Sequence, residues 1–273
     1  MFDSPYHQSP GLELPEFKPG WVWLAGAGPG DPGLLTIHAL HALRWADVII
    51  HDALIDPGTL ALATPGAEMI HAGKRGGQPS CKQIDITAML IEQARRSRRV
   101  LRLKGGDPMM FGRGAEELMG LSEAAVPFRV IPGVSAGLGG LAAAGIPLTC
   151  RGVNEVVTFV TGHDIQGRVP ESVDWAALAR GSTVLVLFMA IRTLPEIVRR
   201  LRAGGRAAEE PVAIVRAAST ADQEVFETTL EHCVAIAAGV APPALVVIGE
   251  VVRLRATLDP ARQPRLAVAA AAN

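Results

Sequence analysis

Three glycine-rich loops contain the residue types that could bring a small molecule close to the backbone. They are GAGPGDPG at 26–33, KGGDP at 104–108 and PGVSAG at 132–137, and each follows a run of strand-forming residues. Glycine permits positive φ angles and lets a ligand approach the backbone closely. In open α/β sheets, ligands bind in the loops at the carboxyl ends of the strands. Together the three loops predict a small-molecule site.

The first loop does not fit a dinucleotide-binding fingerprint. Gly26 and Gly28 match the pattern G-x-G-x-x-G, but its third glycine position is Asp31. Pro29 also lacks an N–H that a pyrophosphate would need. An acidic loop favours a neutral or cationic ligand with amine, hydroxyl or sulfonium groups. The alternative is a tight turn in which Asp31 caps the following helix.

The composition excludes several other kinds of protein. The chain has 273 residues, 49% of them hydrophobic, which is enough for a large core. A net charge of −1 and 4% aromatic residues argue against binding to nucleic acid. Cys81, Cys150 and Cys233 lie far apart, so we expect buried small side chains rather than a zinc site. No apolar run reaches the ~18 residues of a membrane span, and we expect a cytoplasmic protein that binds neither membranes nor a metal.

The elements that must position the loops alternate between strands and helices. Continuous apolar strands separated by helices indicate an α/β fold with mostly parallel sheets, here divided into two domains. The segment LLTIHALHALRWAD predicts a helix with Leu35, Ala39, Ala42 or Leu43, and Ala46 on one face. We expect a tail at 1–20, an N-terminal domain at 21–150, a C-terminal domain at 151–258 and a second tail at 259–273.

Six motifs carry a resemblance to a known family. GAGPGDPGLLT, HAGKRGG, RLKGGDPMMFGRG, PGVSAG, GIPLT and VTFVTGH follow one another at the spacing of the uroporphyrinogen-III C-methyltransferase branch of the tetrapyrrole methylases. The resemblance implies two α/β domains with a cofactor cleft between them, and a stand-alone enzyme that forms a homodimer. It implies methyl transfer from S-adenosylmethionine to carbons 2 and 7 of uroporphyrinogen III. The products would be S-adenosylhomocysteine and precorrin-2, a precursor of sirohaem and cobalamin.

The same resemblance implies which residues contact the cofactor. These positions are small, apolar or backbone-like, and they lie in the glycine loops and in three segments of the second half. They are Pro29, Gly105, Gly106, Asp107, Met110, Ser135, Ala136, Met189, Ala218 and Ala244.

Two further residues match the catalytic positions of the family. Asp52, at the end of the second strand, corresponds to a proposed proton acceptor, and Lys74 to a proposed donor. From the residues alone, Asp52 would be interpreted as a loop cap and Lys74 as a solvated charge. Arg75 and Arg113 are candidates for binding the substrate carboxylates, because forked guanidinium groups suit them.

The sequence departs from the family near Asp52, and it leaves other activities open. His51 stands where tyrosine is common, and Ala53 where arginine is frequent. A histidine at that position could alter the pKa or orientation of its neighbour. The alternatives are another precorrin methyltransferase, a family member that methylates RNA or protein, and a sensor that binds an adenosyl ligand without catalysis.

Overall fold

The computed structural model describes residues 13–72 and 83–259. Lys74, Arg75 and Cys81 lie outside those residues. The chain forms two compact units, one with residues up to Ala27 and Leu35–Gly133, the other with Gly28–Leu34 and the chain from Val134 on. None of the helices in the described ranges is both long and apolar enough to cross a bilayer.

The first unit contains a five-stranded sheet in which every pairing is parallel. The strand order is β3-β2-β4-β1-β5. Both β1 and β4 are buried along their whole length, as the continuous apolar runs predicted. The strands are β1 (Val22–Gly26), β2 (Val48–His51), β3 (Glu68–His71), β4 (Val100–Lys104) and β5 (Phe128–Ile131).

Helices cover this sheet and complete two apolar clusters. They are α1 (Ile37–Trp45), α2 (Pro57–Leu60), α3 (Gln83–Arg95) and α4 (Gly114–Glu123). The predicted face of α1 is confirmed, because Ala39, Leu43 and Ala46 are fully buried. The first loop does not lead directly into α1, however. The cap is Thr36, whose side chain accepts from Ala39 N, whereas Asp31 binds Gly33 N at a separate 3₁₀ turn, Pro32–Leu34.

The second unit contains a mostly antiparallel sheet, which corrects the expectation of two mostly parallel ones. In the order β6-β7-β10-β8-β9, only β6 and β7 pair in parallel. A short turn joins β8 to β9, and strands joined in this way pair antiparallel. The strands are β6 (Val157–Thr161), β7 (Val184–Phe188), β8 (Pro211–Arg216), β9 (Glu224–Thr229) and β10 (Ala244–Ile248).

The helices of the second unit include the glycine-rich segment after β5. They are a π-helical turn (Ala136–Gly140), α5 (Leu141–Ala143), α6 (Trp175–Gly181), α7 (Leu194–Ala203), α8 (Cys233–Ala237), a 3₁₀ helix (Glu250–Leu254) and α9 (Arg255–Leu258). Gly204 is the C-cap residue of α7. Cys233 is buried, and burial raises the pKa of its thiol to about 11, whereas Cys150 is partly exposed.

The division between the units differs from the expected one near Cys150. Leu141, Ala144 and Ile146 pack against β7, β8 and β10, so this segment contributes to the core of the second unit. The region expected to link two domains is a turn of that unit, in which Asn154 binds the backbone of Cys150 and Leu148. The difference arises because the short helix α5 and the apolar residues after it are buried against the second sheet. The sequence pattern alone does not show which of the two sheets such a segment packs on.

Candidate active site

Three glycines at the ends of neighbouring strands contact one another in the first unit. A Cβ atom on Gly26 would lie 2.4 Å from the carbonyl oxygen of Gly106 and 2.5 Å from Cα of Gly133. One on Gly133 would lie 2.2 Å from the same oxygen. Such distances between a side chain and a backbone are not tolerated, so the loops after β1, β4 and β5 exclude side chains from each other. For these glycines, the close neighbour is the protein itself.

Gly105 is different, because the protein leaves space beside it. A Cβ atom there would meet only Cβ of Leu54, at 3.8 Å, which is an ordinary contact. Gly106, its neighbour, has a φ of 66°, a conformation that glycine adopts without strain. The fold of the first unit therefore does not itself require a glycine at position 105, and the predicted contact of Gly105 with the cofactor stays a prediction.

Asp107 uses both carboxylate oxygens within the protein. Oδ1 accepts from Met109 N at 2.8 Å, and Oδ2 accepts from Gly133 N at 2.9 Å. The backbone N–H of Met110, another predicted contact, donates to the Asp107 carbonyl oxygen at 3.2 Å. Asp107 thus joins the β4 loop to the β5 loop, a structural role that the sequence did not indicate.

Asp52 belongs to a cluster of four charged side chains beside the end of β2. Arg102 Nη2 donates to Asp52 Oδ1 at 2.5 Å, and Lys104 Nζ lies 3.7 Å from Asp52 Oδ2. Glu117 Oε1, on α4, accepts from Lys104 Nζ at 2.9 Å and from Arg102 Nη2 at 3.2 Å. We call Asp52, Arg102, Lys104 and Glu117 the charge cluster. Asp52 is therefore not a simple loop cap.

The charge cluster is buried except at Asp52. The side chains of Arg102, Lys104 and Glu117 are almost inaccessible, whereas that of Asp52 is 30% exposed. Two cations and two anions balance, which is the arrangement that buried charges require. Arg102 also donates to the carbonyl oxygens of Ile50 and Leu103, so its guanidinium group is fixed from several directions.

The histidine before Asp52 is buried and neutral. His51 Nδ1 lies 3.1 Å from the Asp52 carbonyl oxygen, and its ring meets the edge of the His71 ring with centroids 5.2 Å apart. Burial lowers the pKa of His51 below its ordinary value, although the contact with the Asp52 backbone opposes this shift. The neutral form of the His51 side chain is therefore favoured at neutral pH.

Arg113 is held by a carboxylate of its own helix. Its Nε and Nη2 atoms donate to Glu116 at 3.0 and 2.6 Å, and its side chain is 54% exposed. This pairing raises the pKa of Arg113 and lowers that of Glu116. Arg113 and Phe111 have φ angles of 59° and 52°, so the loop before α4 is strained at two residues.

Three residues of the second unit that were predicted to contact the cofactor lie at the same end of the neighbouring strands β7, β10 and β8. Met189 follows β7, Ala244 begins β10, and Ala218 follows β8 after one residue. The register pairs Leu245 with Phe188 and Ala244 with Arg216, so these three chain segments are neighbours. Met189 is 45% exposed with a φ of 53°. The structure thus brings together positions that are far apart in sequence.

The other predicted residues of the second unit lie around its π-helical turn. Ser135 is buried and caps this turn by accepting from Gly137 N at 3.3 Å. A Cβ atom on Gly140 would lie 2.8 Å from Cβ of Ala218 and 3.9 Å from Cβ of Pro29. Ala136 packs against the apolar cluster of this unit. Gly140, which follows the PGVSAG motif, therefore lets the turn pack closely against Ala218 and Pro29.

The sequence interpretation missed most of the charge cluster. Arg102 and Lys104 alternate with leucine in VLRLK, and two charges on one face of an otherwise apolar strand were an available signal. The sequence around Glu117 gave no sign of its role, because Glu117 lies on α4 and its partners, Arg102 and Lys104, lie on β4. Lys74 and Arg75 lie outside the described residues, so their positions stay predictions. Among the residues described, no group of three or more potential ligands is placed to hold a metal ion.

Comparisons with known proteins agree with the resemblance seen in the sequence. Residues 22–233 match the profile of the tetrapyrrole (corrin/porphyrin) methylases. A uroporphyrinogen-III C-methyltransferase of Sinorhizobium sp. is 59% identical over 248 residues, which are 90% of this chain and 89% of that protein. A siroheme synthase of Tolumonas auensis is 44% identical over 91% of this chain, but the match spans only 53% of its length.

A solved structure is also similar. The crystal structure of a uroporphyrin-III C-methyl transferase of Thermus thermophilus, complexed with S-adenyl homocysteine, has a TM-score of 0.75 and is 41% identical. The match covers 85% of this chain and 99% of that one.

Proposed function

Because the chain belongs to the tetrapyrrole (corrin/porphyrin) methylases, we propose that it methylates uroporphyrinogen III at carbons 2 and 7. The donor is S-adenosylmethionine, and the products are precorrin-2 and S-adenosylhomocysteine. The observation that carries the proposal is the 59% identity to the Sinorhizobium enzyme across 90% of this chain and 89% of that protein. Precorrin-2 then enters sirohaem or cobalamin synthesis.

The described residues fit an adenosyl ligand in each unit considered by itself. In the first unit, Gly105 leaves space for a ligand at the backbone. In the second unit, small side chains at Ala218 and Ala244 adjoin an exposed Met189. S-adenosylmethionine supplies an electrophilic methyl group on a sulfonium ion. The protein's part is to orient this group towards the pyrrole carbon, which can contribute roughly 7–11 kcal/mol to lowering the barrier.

Asp52 is the proposed proton acceptor of the reaction. After methyl transfer the macrocycle must lose a proton, and a positioned base accelerates such a step. The Asp52 carboxylate is accessible on one side and held by Arg102 on the other. Lys74 is the proposed proton donor, and Arg75 and Arg113 are proposed to bind substrate carboxylates.

The function is tested by incubating the purified protein with enzymatically generated uroporphyrinogen III and S-adenosylmethionine under anaerobic conditions. Mass analysis of the tetrapyrrole is expected to show two added methyl groups. Asp52→Asn is the matched control, with unchanged binding of S-adenosylhomocysteine and little product. Binding without methylation by the wild-type protein would instead support the sensor, and methylation only of a later precorrin would support another precorrin methyltransferase.

Assembly as a homodimer and a cytoplasmic location complete the proposal. The dimer rests on the family resemblance, and the location rests on the sequence, in which no apolar run reaches the ~18 residues of a membrane span. Light scattering after size-exclusion chromatography is expected to give twice the mass of the 28.7 kDa chain. A monomer that is fully active would contradict the dimer.

A further inference from the structure

Of the four side chains in the charge cluster, only that of Asp52 is substantially exposed to solvent. Three of the four side chains are inaccessible to solvent, and the fourth, Asp52, is exposed on the side that the others do not occupy. Replacement of a buried ion pair by apolar side chains of similar size is often neutral or stabilising. Stability alone is therefore a weak reason for Arg102, Lys104 and Glu117 to lie beneath Asp52.

The three buried residues make different contacts with Asp52 and with one another. Arg102 and Lys104 are two positions apart on β4, so their side chains lie on the same face of the sheet. Arg102 approaches one oxygen of Asp52 at 2.5 Å, and Lys104 approaches the other at 3.7 Å. Glu117 Oε1 accepts from both cations, and Glu117 Oε2 also accepts from Arg102 Nε at 3.3 Å. A shift of either cation would therefore change both its contact with Asp52 and its contact with Glu117.

We propose that Arg102, Lys104 and Glu117 are positioning residues that set the orientation and the charge of the Asp52 carboxylate. The two cations fix its oxygens, and Glu117 balances the cations so that they do not hold the carboxylate too strongly for proton transfer. This inference rests on the proposed role of Asp52 as proton acceptor. It does not require that the three residues touch the substrate.

Other charged or titratable groups also face the cluster and belong in its electrostatics. On β2, His51 interacts with both Asp52 and Arg102, and His71 on β3 lies against His51. From α4, Glu116 interacts with Lys104. Arg113, which precedes α4, interacts with Glu117. These groups remain in every variant below, so their contribution cancels in the comparison.

Two isolated substitutions should move the titration of Asp52 in opposite directions. Glu117→Gln removes a negative charge, leaves both cations and should lower the pH midpoint of the Asp52 carboxyl group. Lys104→Met removes a positive charge and should raise it. The ¹³C carboxyl resonance of Asp52, assigned by its loss in Asp52→Asn, reports this midpoint in the ligand-free protein.

The same shifts should appear in the acidic limb of the pH profile of kcat/KM for methylation. Glu123→Gln makes the same change at an exposed position of α4 and should leave midpoint, profile and turnover as in the wild type. In an Asp52→Asn background, neither Glu117→Gln nor Lys104→Met should lower kcat further, because residues that act through Asp52 lose their effect with it. Affinity for S-adenosylhomocysteine should stay unchanged throughout.

A second variant covers the case in which either substitution prevents folding. Arg102→Lys keeps the charge and loses the fork, so kcat should fall at least tenfold while the midpoint stays within a few tenths of a pH unit. Equal shifts in one direction, no shift in either variant, or full additivity with Asp52→Asn would overturn the inference. A wild-type protein that does not methylate uroporphyrinogen III would instead contradict the proposed function, and the resonance measurement would still test the cluster.

Discussion

Gly105→Ala separates a glycine required by a ligand from glycines required by the fold. The new Cβ would meet only Leu54, at 3.8 Å, so the folded protein accommodates it. Where the backbone conformation is compatible, this replacement stabilises a protein by about 0.4–1 kcal/mol, because it restricts the unfolded chain. Gly105→Ala should therefore fold normally and bind the cofactor less well.

The expected loss of affinity follows from the contact that the methyl group would make. If the ligand lies against the Gly105 backbone, an added methyl group overpacks that contact at a cost of about 1–3 kcal/mol. This corresponds to a roughly 5- to 150-fold higher Kd for S-adenosylhomocysteine. Gly106 is a poorer choice, since its φ of 66° would strain any other residue regardless of the ligand.

Gly133→Ala is the matched control for the fold. Its Cβ would lie 2.2 Å from the Gly106 carbonyl oxygen and 2.7 Å from Cα of Gly26, and neither backbone atom can move independently. Destabilisation of about 1–3 kcal/mol would lower the Tm by roughly 2–12 °C. Gly105→Ala should leave the Tm unchanged or slightly higher.

Isothermal titration calorimetry with S-adenosylhomocysteine measures the first effect, and calorimetric unfolding without ligand measures the second. Wild-type affinity in folded Gly105→Ala would refute ligand contact at this glycine. An unchanged Tm in Gly133→Ala would refute the close contact among the three strand ends.

Three further predictions concern chemistry and pH. Asp52→Asn should lower turnover by about 10²–10⁴-fold with unchanged affinity for S-adenosylhomocysteine, measured by single-turnover kinetics and calorimetry; near-normal turnover would exclude Asp52 as the base. His51→Tyr should reduce the loss of stability on acidification, measured by urea unfolding at pH 7 and 5. The pKa of His51 is lower in the folded protein than in the unfolded chain, so below about pH 6.5 the unfolded chain binds a proton that the folded protein does not. The free energy of unfolding therefore decreases as the pH is lowered. An equal loss in wild type and variant would contradict that explanation. Methylation should persist after treatment with a chelator, and loss of activity that one divalent ion restores would show that a metal is needed.

The second sheet shows where reading strands from sequence reached its limit. β6, β7, β8 and β10 are apolar runs of the kind that predicts a buried strand, but β9, with the sequence EVFETT, is not. As an edge strand it is only partly buried and lacks a continuous apolar run. Strand direction depends on which strands pair across the sheet, and apolar content does not report that choice.

The charge cluster shows the same limit at the candidate site. Asp52 was recognisable through its motif and its place after a strand. The partners of Asp52 were not, because Arg102, Lys104 and Glu117 come from other segments that approach it only in the folded sheet. Side chains distant in sequence become neighbours through strand order, which is a property of the whole unit.

The sequence by itself determined the α/β class, the buried face of α1 and the glycine loops at the strand ends, because these features depend on local periodicity and residue type. Only the tertiary structure decided which of these glycines the packing of the protein itself requires. Gly26 and Gly133 exclude side chains because another backbone lies within 3 Å of where a Cβ would be, whereas a Cβ on Gly105 would make only an ordinary contact with Leu54, at 3.8 Å. In the sequence these residues are identical, and the atoms that distinguish them are contributed by loops far along the chain.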